Sequence, residues 1–179
     1  MVCISSIGDT KVVTDKWMLG TRNSFFVGIV ATLLATALGT VAALGLSRPH
    51  MPFKAVLMAI LISPMIVPLI ITAAGMFFFY SKIGLTHSYL GLILAHTALG
   101  TPFVVITVTA TLTGFDTNLI RASQSLGADT MRTFFKIIMP LILPGVISGG
   151  LFAFITSFDE VVVVMFIGSV EQITIPKQM

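Results

Sequence analysis

Long stretches of this sequence contain no charged side chain, and this feature limits its possible folds more than any other. Residues 24–47, for example, contain no Asp, Glu, Lys or Arg. A helix of about 20 apolar residues can cross the hydrocarbon core of a bilayer, which is about 30 Å thick. Over the whole chain, 56% of the residues are hydrophobic and only 9% are charged, whereas soluble domains carry about 25% charged residues. We therefore expect lipid to surround much of the chain.

Four apolar stretches are long enough to form membrane helices. They are residues 24–47, 55–81, the part of 87–115 that begins near Leu90, and 141–158. Pro64 and Pro68 lie inside the second stretch and should bend it, because proline removes a backbone donor. A further apolar run, 161–168, is too short to span a bilayer by itself. These patterns predict an all-α integral membrane protein, a bundle of about four to five transmembrane helices.

The basic residues favour a membrane topology over nucleic-acid binding. The net charge is +3, but Lys and Arg occur singly between apolar runs and do not form the cluster that a nucleic-acid interface needs. Two predicted spans separate the loops at 48–54 and 114–136, so both loops lie on the same side of the membrane. Their basic residues predict that this side is cytoplasmic. Residues 1–23 are then an extracytoplasmic segment, although their own basic residues offset this bias, and residues 24–179 form the membrane domain.

The sequence carries no motif of a common enzyme class. It lacks the Walker pattern G-x-x-x-x-G-K-[ST], H-E-x-x-H and G-x-S-x-G, so we expect no catalytic residue, no metal site and no cofactor of its own. His96 lies inside the third apolar stretch, where an ionisable side chain is a candidate for function. The alternative is a neutral imidazole that is hydrogen-bonded to a neighbouring helix.

The longest polar stretch, residues 114–136, predicts a short helix outside the bilayer. Asp116 is a suitable N-cap for a helix from about Thr117 to Leu126, and Gly127 follows this helix. Small residues around the glycine would allow another protein to approach closely; these are Ala122, Ser123 and Ala128. The stretch is thus either a docking helix for a partner or an ordinary amphipathic surface helix.

The spacing within this loop resembles that of a known family. In the permeases of binding-protein-dependent ABC importers, a cytoplasmic loop reads E-A-A, three residues, G, nine residues and I-x-L-P. Here the tripeptide 121–123 (Arg-Ala-Ser), Gly127, Ile137 and Pro140 stand at the corresponding places. The resemblance implies a coupling helix that docks in a groove of an ATPase subunit through Arg121, Ala122, Ser123, Leu126, Gly127 and Ala128. Arg121 replaces the usual glutamate and Ser123 the second alanine, which leaves the contacts of that glutamate in doubt.

A second segment resembles one branch of the same family. Residues 157–161, Ser-Phe-Asp-Glu-Val, are similar to the spermidine/putrescine branch and imply a polyamine substrate. Acidic groups along a translocation route would suit a flexible polycation, so Asp159 and Glu160, together with His96, are candidate residues of a substrate pathway. The alternative is that the two carboxylates lie solvated at the outer interface and take no part in transport.

Together these resemblances imply a MetI-like permease fold that lacks the family's terminal helices, in a multi-pass protein of the cell inner membrane. The implied partners are a dimer of ATP-binding subunits, a second permease subunit and an extracytoplasmic solute-binding protein. ATP would bind to the partner, so the chain itself is not expected to be an enzyme. A secondary transporter or channel subunit is one alternative function, and a truncated permease remnant that does not transport is another.

Overall fold

The computed structural model describes residues 3–48, 51–114, 118–169 and 174–175, with side chains from residue 17 onward. No strand occurs among these residues, in agreement with the predicted all-α fold. Eight α-helices and one π-helical turn follow one another along them: α1 (Cys3–Leu46), α2 (Lys54–Ile66), α3 (Leu69–Ile83), α4 (Tyr89–Thr113), α5 (Asn118–Ser125), α6 (Thr130–Thr133), the π-helical turn (Phe134–Ile138), α7 (Met139–Asp159) and α8 (Val162–Ile167).

Within the described residues, three helical segments are long and apolar enough to cross a membrane, and α2 with α3 makes a fourth if the bent pair counts as one span. The three segments are Trp17–Leu46, Tyr89–Thr113 and Thr130–Asp159. They match the predicted spans at 24–47, near 90–113 and at 141–158, the first of which ends one residue earlier than predicted. The first helix is longer than predicted: it begins at Cys3 and has no boundary at residue 23, because the sequence before that position contains no proline to interrupt it.

The core of the bundle lies between α1, α4 and α7, which pack side by side. Small residues allow their backbones to come close: a Cβ atom added to Gly149 would lie 2.8 Å from Val104 Cα, and one added to Gly39 would lie 2.7 Å from Val104 Cβ. Lipid supplies no hydrophobic force between helices, so close van der Waals packing across such small residues holds membrane helices together. These glycines therefore serve helix packing.

The second apolar stretch is bent, as its prolines predict, and the bend is sharp enough to divide it into two helices. α2 and α3 meet at an angle of 105°. The break falls at Val67, which is extended with φ −72° and ψ 136°, whereas Pro64 remains inside α2. Val67 precedes Pro68, and a proline disfavours the helical conformation of the residue before it. The chain therefore turns at the second proline and not at the first.

A second break separates α7 from α8. Glu160 is extended, with φ −76° and ψ 113°, and the six residues of α8 follow it. α8 packs against α3, where Val163, Val164 and Ile167 share a buried apolar cluster with Ala73 and Tyr80. As predicted, this last apolar run is too short to span a membrane alone. It instead pairs with another half-length helix.

Candidate functional site

The predicted docking helix is present as α5, and a Schellman motif ends it. The N–H of Ala128 donates to the carbonyl of Ser123 and the N–H of Gly127 to that of Gln124, both at 3.0 Å. Gly127 has φ +79°, a left-handed conformation that costs other residues about 1–2 kcal/mol and that commonly terminates helices. The proposed N-cap, Asp116, lies outside the described residues.

Ser123 is buried against its own chain, so it does not belong to the surface that a partner could touch. Its Oγ lies 3.0 Å from Oγ1 of Thr133, and it also donates to the carbonyl of Ile120 at 2.8 Å. Ser123 and Thr133 are 7% and 3% exposed. The hydroxyl pair therefore connects α5 to α6 across the turn at Gly127. An alanine, which the family pattern has at position 123, could not make this bond.

The exposed surface of the segment is formed by other members of the predicted set. Leu126 is 88% exposed, Arg121 and Ala122 are also exposed, and Ala128 is half-buried. Met131, in α6, is exposed as well and was not predicted. These side chains are therefore the part of the segment that a partner could contact.

A π-helical turn joins this segment to α7. The N–H of Met139 donates to the carbonyl of Phe134, five residues earlier. Pro140 has no N–H, and in a regular α-helix its ring would clash with a carbonyl of the preceding turn, so a wider turn just before it relieves the clash. Helical structure then continues from Thr130 to Asp159. One end of this helical segment thus adjoins α5, and the acidic pair lies at its other end.

The two acidic residues at the end of α7 have different environments. Asp159 is exposed, whereas Glu160 is buried. Oε1 of Glu160 accepts the backbone N–H of Val163 at 3.0 Å, so the carboxylate caps the first turn of α8. Glu160 therefore has a structural role in addition to any role toward a substrate.

Glu160 lines a cavity of about 380 Å³ at the point where the two helix breaks face each other. Residues 64–69, at the α2–α3 break, and Thr156 of α7 line it as well. Leu99 and Phe103 also contribute, and both lie near the middle of α4. The cavity therefore lies level with the middle of α4, which for Glu160 argues against a position at the outer interface.

The carbonyl end of α2 lies beside this cavity. The last carbonyl groups of a helix have no partners within that helix, and Pro68 offers no N–H to the carbonyl of Pro64. A second cavity, of about 340 Å³, shares Leu69, Thr156 and Glu160 with the first and extends to Asp159. The region thus brings two carboxylates near the carbonyl end of a helix, and both kinds of group can accept hydrogen bonds from cations.

His96 lies one helical turn from this region and is almost fully buried, at 2% exposed. Its Nδ1 lies 2.9 Å from Oγ of Ser157, while its Nε2 has no hydrogen-bond partner among the described residues. The imidazole does not line either acidic cavity. The arrangement matches the alternative of an imidazole bonded to a neighbouring helix, here α7.

Sequence reasoning missed three contributors to these sites. Thr133 and Thr156 are ordinary threonines in sequence, and no spacing marks them. The break at Val67 had a local signal in Pro68, but only the fold shows that it faces Glu160 across a cavity.

These features define a class of protein. Long apolar helices, a short helix outside them and acidic groups at broken helices within the bundle are typical of membrane transport proteins. The chain belongs to the family of binding-protein-dependent transport system inner membrane components, whose sequence model matches residues 35–178. It is therefore a multi-pass inner membrane protein of the ABC importer permease type.

Similar proteins include the spermidine/putrescine transport system permease protein PotC of Haemophilus influenzae, 33% identical over 162 residues, which cover 90% of this chain and 63% of the relative. PotC of Escherichia coli K12 is 30% identical over 153 residues, with coverage of 86% and 58%. The sulfoquinovosyl glycerol transport system permease protein SmoH of Agrobacterium fabrum is 28% identical over 138 residues, with coverage of 77% and 48%. The chain thus spans less than two thirds of the length of these relatives.

A solved structure of a bacterial ABC transporter involved in the import of the acidic polysaccharide alginate is also similar. The match has a TM-score of 0.71 at 18% identity and covers 91% of this chain and 56% of the other. At this identity the likeness concerns the fold alone, and it confirms the predicted permease fold.

Proposed function

We propose that the chain is a membrane-spanning subunit of an ATP-driven importer and that its substrate is a small organic cation of the polyamine class. The observation that carries the proposal is the position of Glu160. This buried carboxylate lies beside the carbonyl end of a broken helix, in a chain that belongs to a family of import permeases. Uncompensated carboxylates inside a membrane are costly, so a cation that passes them would be stabilised there.

The chemistry of the cavity fits a polyamine better than a sugar or an anion. A polyamine alternates ammonium groups, which need acceptors, with methylene chains, which favour apolar walls. Glu160 and the α2 carbonyls supply acceptors, while Leu69, Leu99 and Phe103 supply apolar walls. The names of two similar permeases refer to spermidine and putrescine, which supports the same class. A permease named for sulfoquinovosyl glycerol is also similar, so family membership alone does not choose the substrate.

In this proposal, ATP-binding partner subunits drive alternating access through α5. A partner would contact the exposed Arg121, Ala122 and Leu126, and its movement would reach α6 through the Ser123–Thr133 bond. Because helical structure is continuous from Thr130 to Asp159, a shift of α6 would move α7 and with it the acidic end of the cavity. A second permease subunit and an extracytoplasmic binding protein complete the proposed importer.

The test is uptake of labelled putrescine and spermidine by membranes that contain the chain with its ATP-binding, permease and solute-binding partners. Glu160→Gln keeps a side-chain oxygen that can cap α8 but removes the charge, so it separates the two roles of this residue. We expect uptake to fall about tenfold or more, since hydrogen bonds to charged groups contribute about 1.5–3 kcal/mol. Asp159→Asn should have a smaller effect, because Asp159 is exposed.

Three results would contradict the proposal. Unchanged polyamine uptake in both Glu160→Gln and Asp159→Asn would remove the acidic pair from the pathway. Uptake that persists without ATP or an ATP-binding subunit would instead favour an ion-gradient carrier or a channel. Complete absence of uptake in the assembled wild-type system would favour a remnant that does not transport.

A further inference from the structure

A different cavity lies at the opposite end of the bundle, where α5 and α6 approach the ends of α1 and α4. Its volume is about 440 Å³, within the range of about 300–1,000 Å³ that is usual for small-molecule sites. Its walls are mainly apolar and include Leu44, Leu112, Ile120, Phe134 and Ile138. The cavity is separate from the two acidic cavities of the proposed substrate pathway.

Arg48 brings a positive charge to this cavity. Among the described residues, no acidic side chain lines the cavity. Arg48 also lines a neighbouring cavity of about 390 Å³ together with Gly45, Met51 and Pro52. The cation therefore lies between two cavities, and no acidic side chain of the described residues lines either of them.

The position of Arg48 along the bundle corresponds to the level of lipid headgroups. It follows the end of α1 at Leu46 by two residues, and the end of α4 at Thr113 belongs to the same end of the bundle. Long apolar helices end where the hydrocarbon core ends, and basic residues at this level attract anionic headgroups. A phospholipid has a charged phosphate headgroup and apolar acyl chains, and an apolar space that begins beside a cation is suited to both parts.

We infer that the cavity is a binding site for an anionic glycerophospholipid, whose phosphate pairs with Arg48 and whose acyl chain lies along the apolar walls. A soluble phosphate compound would leave the apolar walls uncovered, and a zwitterionic lipid would gain less from the positive charge of Arg48. The bound lipid would join α1 and α4 to α5 and α6, since residues of all four helices line the cavity. The site is independent of the substrate and of the proposed direction of transport.

Native mass spectrometry of the purified importer complex in non-ionic detergent tests this site by titration with phosphatidylglycerol. Phosphatidylcholine with the same acyl chains tests the need for charge, and glycerol phosphate tests the need for an acyl chain. We expect phosphatidylglycerol to bind most tightly and Arg48→Gln to weaken its binding about fivefold or more, the factor that corresponds to one basic residue near a membrane surface. Lys54→Gln is the matched control, because Lys54 is an exposed basic residue at the same end that does not line the cavity.

A second variant tests the apolar part of the site. Thr130 is exposed and lines the cavity, so Thr130→Trp should fill space there and weaken phosphatidylglycerol binding while Arg48 is intact. Equal loss of binding in Arg48→Gln and Lys54→Gln would indicate a general surface charge and overturn the proposal. Equal binding of the two lipids, tight binding of glycerol phosphate, or no lipid binding to the complex would overturn it as well. None of these readouts depends on transport, so they leave the proposed function to its own test.

Discussion

Nδ1 of His96 and Oγ of Ser157 lie 2.9 Å apart and connect α4 to α7 two residues before the acidic pair. Both side chains are buried, and this bond is the only one that the described residues give to the imidazole. The bond therefore fixes the end of α7 against the middle of the bundle, beside the cavity that Glu160 lines.

Ser157→Ala should destabilise the protein by about 1–3 kcal/mol, because it leaves a buried imidazole nitrogen without a partner. Thermal unfolding of the purified protein in detergent measures this as a lower midpoint. Ser148→Ala is the control, since Ser148 is exposed on the same helix and its loss should change stability by less than about 0.5 kcal/mol. Equal shifts in the two variants would show that the His96–Ser157 bond contributes nothing specific.

Ser123→Ala should reduce the amount of substrate transported per ATP hydrolysed, because it removes the bond that joins α5 to α6. Thr133→Val removes the same bond from the other side, so the double variant should be little worse than either single one. A double-mutant cycle compares the effect of the double variant with the sum of the two single effects. For residues in contact the difference is about 0.5–3 kcal/mol.

Ser125→Ala is the matched control for this cycle. Ser125 is exposed on the same helix, and its hydroxyl bonds only the carbonyl of Arg121 within α5. Ser123→Thr keeps a hydroxyl and should retain part of the coupling. Strictly additive effects of Ser123→Ala and Thr133→Val would contradict a direct role of their bond.

Gly127→Lys should uncouple ATP hydrolysis from uptake, because it strains the turn that ends α5 and adds a bulky charge at the proposed docking surface. Gly84→Lys serves as the comparison: Gly84 also has a positive φ, of +72°, and both glycines have open space around them. The two variants should carry a similar backbone cost of about 1–2 kcal/mol, yet only the first should lower the ratio of uptake to hydrolysis. Normal coupling in Gly127→Lys would refute the role of this turn.

Gly149→Ala should lower the free energy of unfolding by about 1–3 kcal/mol, because an added methyl group at a close helix contact forces the two backbones apart. The added methyl group would meet Val104 Cα at 2.8 Å. Gly75→Ala is the opposite case, because nothing lies within 4 Å of its added Cβ, and alanine favours a helix by about 1 kcal/mol over glycine. Thermal unfolding should therefore move in opposite directions for the two variants.

Local signals explain why much of the architecture could be predicted from sequence. The apolar runs set where α1, α4 and α7 could form. The hydrocarbon core holds no water, and a helix pairs its backbone N–H and C=O groups with each other. Gly127 marked the end of α5, because a positive φ favours glycine. The loop spacing and the Ser-Phe-Asp-Glu segment indicated the family, which the family match over residues 35–178 confirms.

The candidate sites depended on contacts that no local pattern contains. Ser123 was predicted as a surface contact from its small size, but its neighbour Thr133 makes it a buried link between two helices. Asp159 and Glu160 are adjacent in sequence, yet one is exposed and the other is buried as a helix cap. The roles of these side chains stay predictions until the variants above are measured.

The sequence by itself determined that the chain is a helical membrane protein, because hydropathy, proline and glycine act within a few residues of their own position. Only the tertiary structure decided that the break at Val67 faces Glu160 and that His96 bonds Ser157. Such pairs depend on which helices lie side by side and in which register. That choice follows from the close packing of small residues such as Gly39 and Gly149 against α4, a collective property that no single segment encodes.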